Sequence, residues 1–113
     1  MSDPKTGIAN LPAPPFYAVI FTSVRTDIDE GYAEMADKMV ALAAQQPGFL
    51  GVESVRGENG LGITVSYWQD EATIKAWRQH AEHQLAIRQG HQHWYEAAFT
   101  RVAKVERAYG FGK

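Results

Sequence analysis

Apolar residues recur along this chain with two periods, and the switches between them mark out the elements of a fold. From Phe16 to Arg25 the run Phe-Tyr-Ala-Val-Ile-Phe-Thr-Ser-Val-Arg is aromatic or β-branched on both alternating sets. That pattern belongs to a strand covered on both faces, hence to the middle of a sheet. The period then changes: Tyr32, Met35, Ala36, Met39, Val40 and Ala43 follow three-and-four spacing until Gln46-Pro47-Gly48 ends it, with Asp27 and Asp29 upstream as candidate N-caps. Phe49 to Arg56 and Leu61 to Trp68 return to strand-like runs. The Gly57-Glu58-Asn59-Gly60 between them has the composition of a hairpin turn, so the two are expected to pair antiparallel. Asp70 can cap a second helix that carries Ile74, Trp77, Ala81 and Leu85 along one face, with Gly90 as its end or break. Tyr95 to Arg107, with Phe99, Val102, Ala103 and Val105, reads as a last strand.

The predicted order is β-α-β-β-α-β, which is the ferredoxin-like α+β arrangement: two helices covering one face of a four-stranded antiparallel sheet. The strands are apolar on both alternations, so the second face also needs cover, because an exposed apolar patch of several hundred Å² is a liability. Two such sheets packed face to face in a homodimer, a dimeric α+β barrel, would supply it. Pro12, Pro14 and Pro15 remove backbone donors and restrict their neighbours, which divides the chain into a flexible lead over residues 1–15 and one domain over 16–113.

Length and charge narrow the classes of function. A chain of 113 residues has the size of one domain. With 11 Lys+Arg against 13 Asp+Glu, and no run of like charge, it offers no footprint for nucleic acid or for an anionic membrane. The absence of cysteine excludes disulfides, thiolate nucleophiles and sulfur-ligated metal sites. Met1 to Pro15 has no apolar core of the signal-peptide kind, so a cytoplasmic location is the expectation.

Four short segments, Pro47-Gly48-Phe49-Leu50-Gly51, Ser66-Tyr67-Trp68, Asp70-Glu71-Ala72 and Ile74-Lys75-Ala76-Trp77, fall in order within this frame. The series resembles the antibiotic biosynthesis monooxygenase family, dimeric α+β barrels that include cofactor-free quinol monooxygenases and a haem-degrading branch. The resemblance runs from about Phe16 to Glu106. It implies an oxygen-using enzyme acting on a small aromatic, quinol-like molecule in an apolar pocket, with no bound cofactor expected and haem as the possible exception. The haem-degrading relatives use an asparagine on the first strand, a tryptophan in the second helix and a histidine beyond it. Here Phe21 stands at the asparagine position, Trp77 matches the tryptophan, and the histidine position falls nearer Leu85 to Ile87 than to His83.

The candidate catalytic residues are His80 and His83, because histidine is the side chain whose ordinary pKa lies near neutrality and which serves both as base and as iron ligand. Three apart, they share one side of a helix. On an unbroken helix that side faces away from the Ile74-Ala81-Leu85 stripe, toward solvent; a break near Gln79 would turn one of them toward the sheet. Trp77, Phe21, Trp68 and Val19 are the candidate pocket wall, and Tyr67, Tyr95 and Arg78 could orient a polar substrate group. Trp68, Trp77 and Trp94 are each large enough to be core or interface residues instead. His91 and His93, flanking Gln92, fit a solvated loop. Glu53 and Arg56 read as ordinary cross-strand charges. A non-catalytic dimeric domain that binds a small ligand is the competing class, since a fold alone does not imply activity.

Overall fold

The computed structural model describes residues 6–87 and 94–112, and for residues 83–87 the backbone alone. Strand β1 (Phe16–Arg25) is followed by helix α1 (Tyr32–Ala44), strands β2 (Phe49–Arg56) and β3 (Leu61–Trp68), helix α2 (Glu71–Ile87) and strand β4 (Tyr95–Val105). The sheet is antiparallel throughout in the order β2-β3-β1-β4. This is the ferredoxin-like α+β fold expected, with the doubly apolar β1 in the interior of the sheet. No described helix is long and apolar enough to cross a membrane.

The boundaries follow local chemistry. Gly57 and Gly60 close the hairpin: Gly57 N donates to Leu61 O at 2.8 Å, and Gly60 supplies a left-handed φ of 88°. Asp70 caps α2, its Oδ1 accepting from Thr73 N at 2.8 Å. Gly48, at φ 84°, turns the chain from α1 into β2. The expected caps of α1 are corrected: neither Asp27 nor Asp29 caps it, and the helix starts after Gly31, which stands at φ 79° with no side-chain cap. The Asp29 carboxylate instead pairs with Arg25 at 3.0 Å, so a competing ion pair has taken the capping oxygen. The last strand ends at Val105, two residues before its expected limit.

Pairing register sorts the strand residues onto two faces, because directly opposed residues point the same way. Tyr17, Val19, Phe21 and Ser23 of β1 share one face with Trp68, Ser66, Thr64 and Gly62 of β3, and with Phe49, Val52, Ser54 and Arg56 of β2. The helices cover this face. Trp68, fully buried, packs with Ala43 and Ile74, flanked by Tyr17, Val19, Phe49 and Trp77. A second cluster, centred on Met35 and Trp94 with Tyr32, Met39 and Tyr95 around it, fills the other end of the same layer.

The opposite face carries Phe16, Ala18, Ile20, Thr22 and Val24 of β1 opposite Tyr67, Val65, Ile63 and Leu61 of β3. One end of it is covered by the chain itself: Ala9 is buried, and Ala9 Cβ and Leu11 Cδ2 lie so close to Gly51 that a Cβ there would meet them at 3.1 and 3.2 Å. Ala9 and Leu11, expected as part of a flexible lead, thus lie against the sheet. The other end is bare, with Val55 77%, Phe99 64%, Leu61 46% and Ile63 46% exposed.

Candidate functional site

Two tryptophans and one histidine form a line across the helix-covered face. Trp68 ends β3, and its indole Nε1 donates to Ser66 Oγ at 2.9 Å, so its polar atom is satisfied inside the core. Trp77, two turns into α2, stacks on it with ring centroids 5.9 Å apart at 22°. His80 lies one turn further on, 5.9 Å from the Trp77 ring and tilted by 37°. Its Nε2 is shielded from solvent and has no hydrogen-bond partner among the described residues. A shielded polar atom without a partner is costly, and one in a folded protein calls for a role or a visiting partner.

The expectation that a continuous α2 would turn His80 to solvent is therefore corrected. The helix runs unbroken from Glu71 to Ile87, yet the imidazole is half-buried. Ile74, Trp77 and His80 are each three residues apart, so the apolar stripe widens by one step of the helical screw at each. Trp77 then carries the imidazole along its own flank into the layer. The His83 side chain, His91, His93 and Gly90 fall outside the described residues.

The other expected site residues divide. Phe21 is on the helix-covered face, edge-on to Tyr95 with centroids 5.5 Å apart. Val19 packs beside Trp68 and Trp77, two residues along β1. Tyr67 lies on the opposite face: its hydroxyl donates to Glu53 Oε1 at 2.6 Å, and its ring meets Phe16 edge-on at 5.7 Å. Burial first, and then the Glu53 carboxylate, push the Tyr67 phenol up to about 12. Arg78 is exposed and pairs with Glu82 at 3.1 Å, one turn along the surface of α2. Neither Tyr67 nor Arg78 is brought to the His80 group.

Three residues that the sequence reading treated as background proved to be placed. Arg56 is not an ordinary cross-strand charge: it lies across Gly62, where a Cβ would meet its guanidinium at 2.6 Å, and donates to Ser23 Oγ at 2.8 Å. Glu53 Oε2 accepts from Ala9 N at 3.1 Å while Oε1 holds Tyr67, so one carboxylate ties the N-terminal segment to the sheet. Tyr32, read only as a helix-stripe residue, accepts a hydrogen bond from Tyr95 Oη at 3.3 Å. The glycine opposite Arg56 was a signal for the first, but only the pairing register makes it readable. An open polar cleft lies near this end of the sheet, lined by Arg25, Asp27, Asp29, Arg56 and Glu58. Both guanidiniums donate to protein acceptors and three carboxylates share the cleft, so it is a poorer ligand site than the shielded aromatic group.

A helix-covered antiparallel sheet is the fold that this chain shares with the matched structures. Residues 15–89 match the antibiotic biosynthesis monooxygenase family, and the chain belongs to that family. Among its relatives is the uncharacterised protein YqjZ of Bacillus subtilis (strain 168), 57% identical over 100 residues that make up 88% of each chain. SnoaB of Streptomyces nogalater, a cofactor-independent oxygenase, superposes with a TM-score of 0.67 at 12% identity over 84% of this chain and 97% of its own. NE2512 of Nitrosomonas europaea, a protein of unknown function, superposes with a TM-score of 0.68 at 10% identity over 90% of this chain and all of its own, 100%. At these identities the structural likeness bears on fold alone.

Proposed function

We propose that this protein is a monooxygenase that uses molecular oxygen on a small, electron-rich aromatic substrate of the quinol type, without a bound cofactor. The observation that carries the proposal is the shielded Nε2 of His80, without a hydrogen-bond partner among the described residues, beside the Trp77 ring. Trp77, Trp68, Val19 and Phe21 form the apolar wall, and the imidazole is the proton acceptor. In a layer from which water is excluded, an uncompensated acceptor gains most from a donor that arrives with the ligand. A phenolic hydroxyl is such a donor.

Removal of that proton by His80 leaves an electron-rich phenolate, which can pass an electron directly to oxygen; recombination at a ring carbon gives a peroxide. Cleavage of the O–O bond leaves one oxygen atom on the substrate and releases the other as water. Both electrons come from the substrate, which loses two hydrogens, so the balance needs no external reductant. The protein's part is to hold the ring, take the proton and exclude water. That a solved relative in fold is a cofactor-independent oxygenase supports this choice.

The functional unit in this proposal is a homodimer. The bare end of the second sheet face exposes Val55, Leu61, Ile63 and Phe99 together, and a second copy laid against it would remove that surface from water. Oxygen uptake with small quinols tests the enzymatic reading: it is expected to fall at least about a hundredfold in His80→Ala, the scale of a lost general base. Unchanged uptake in that variant would refute the role of His80. A hemin titration run alongside, with a Soret shift lost in His80→Ala, would replace the cofactor-free reading with a haem one.

A further inference from the structure

Two apolar surfaces of this chain lie open. One is the bare end of the second sheet face, where Val55, Ile63 and Phe99 stand in one row across β2, β3 and β4. The other is the segment that follows β4. Residues 106–112 form neither helix nor strand, and Tyr109 and Phe111 are 87% and 105% exposed. Gly110 and Gly112 alternate with the two aromatics, and a Cβ built on either glycine would meet no described atom within 4 Å. In extended chain that alternation sets both rings on one side of the backbone and leaves the other side bare. The segment is an arm that presents two large apolar rings to water, and burying such rings is strongly favourable.

The arm of one molecule falls short of its own bare row. Phe99 lies six residues back from Val105, the last residue of β4, which is roughly 20 Å along the strand. Ile63 and Val55 stand two and three strands further across the sheet, at roughly 5 Å for each strand. Beyond Val105, Tyr109 is reached after four residues and Phe111 after six, so straight chain carries them at most roughly 14 and 21 Å. A reversal at Val105 spends part of that reach before either ring turns back. The nearer end of the same face is already filled, with Ala9 and Leu11 against Gly51 and the Tyr67 hydroxyl on Glu53.

Resting on the second-copy reading above, we infer that residues 106–112 are an exchange arm: Tyr109 and Phe111 of one copy dock on the bare Val55–Ile63–Phe99 row of the other, which returns its own arm. A two-fold axis lying between the sheets and perpendicular to the strands reverses the strand direction from one copy to the next. The end where β4 runs into the arm then faces the hairpin end of the second copy, where the bare row lies. The same operation sets the end filled by Ala9 and Leu11 over the bare end, and the exchange is isologous, as closure of a dimer requires. Fully buried, the four rings remove about 600–1,000 Å² from water, and the surface they cover adds a comparable area. The total passes the roughly 1,200 Å² at which stable interfaces begin.

Sedimentation equilibrium of the full chain over a dilution series tests this, comparing wild type with the double variant Tyr109→Ser, Phe111→Ser. The variant is expected to raise the dimer dissociation constant at least about a hundredfold, since each copy loses two buried rings. Photo-crosslinking locates the docking place and needs no disruptive variant: p-benzoylphenylalanine in place of Phe111 should yield a covalent species of twice the chain mass, with the bond mapped by mass spectrometry to residues 55–63 or to Phe99. A variant that dimerises within about threefold of wild type overturns the arm and leaves the second-copy reading standing. Cross-links confined to one chain, or joining two copies elsewhere, overturn the docking place. A wild type that is monomeric at every concentration overturns both readings.

Discussion

Replacing His80 with leucine should make the protein more stable and inactive at once. Leucine has nearly the volume of histidine and no polar atom, so the substitution removes the shielded Nε2, which lacks a partner among the described residues, without opening a large cavity. Relief of one such group is worth about 1–3 kcal/mol. Against this stands the lost ring contact with Trp77, at 5.9 Å and 37°, worth about 1 kcal/mol. The difference is a net gain of about 1 kcal/mol, which for a domain of this size raises the midpoint of thermal unfolding by about 4 °C. The assay is urea unfolding of wild type and His80→Leu followed by near-ultraviolet circular dichroism, with oxygen uptake on the same preparations. His80→Gln is the control: it keeps a polar group near Nε2 and should show no gain. If His80→Leu instead loses 1 kcal/mol or more, the imidazole is a satisfied structural group and the argument that it waits for a ligand proton fails.

Gly48→Ala should cost about 3 kcal/mol, combining the left-handed strain of φ 84° with a Cβ that would sit 2.6 Å from the Thr73 side chain at the start of α2, read as a lower urea midpoint. The Tyr67 phenol has its folded pKa raised from 10.0 to about 12. The folded state therefore holds that proton more tightly than the unfolded chain, and the associated stability is complete below pH 10 and lost as pH rises through about 12. Tyr67→Phe should flatten that alkaline decline, and a decline as steep as in wild type would refute it. If a second copy covers the bare sheet face, Ile63→Glu with Phe99→Glu should convert a dimer to a monomer in light scattering while leaving the helical circular dichroism intact. A wild type that is already monomeric would dismiss that interface.

Much of the fold was readable because local patterns and tertiary demands agreed. The doubly apolar Phe16–Arg25 run became the interior strand, Asp70 capped α2, and Gly57 to Gly60 closed the hairpin. The failures have two causes. Asp29 was a sound N-cap candidate by local preference, but the helix starts after Gly31 and the Asp29 carboxylate pairs with Arg25, four residues before it. Arg56 looked like a surface charge until the register set it opposite Gly62, over a glycine with no side chain to block it.

The site shows the same division. Residue types, spacing and the family resemblance marked Trp77, Trp68, Phe21 and His80 as candidates, because aromatic and imidazole chemistry is a property of the side chain wherever it sits. What they could not reveal was direction. Tyr67 and Trp68 are adjacent in sequence and therefore point to opposite faces of β3, and only the covering helices decide which face is the interior. The pairing of Tyr32 with Tyr95, 63 positions apart, exists only because β4 returns alongside β1 and brings the start of the last strand over the start of the first helix. Periodicity and caps are encoded within a few residues of one another, so the sequence by itself determined the elements and their order. Which atom faces a ligand depends on contacts between segments that meet only after folding, and the tertiary structure decided that.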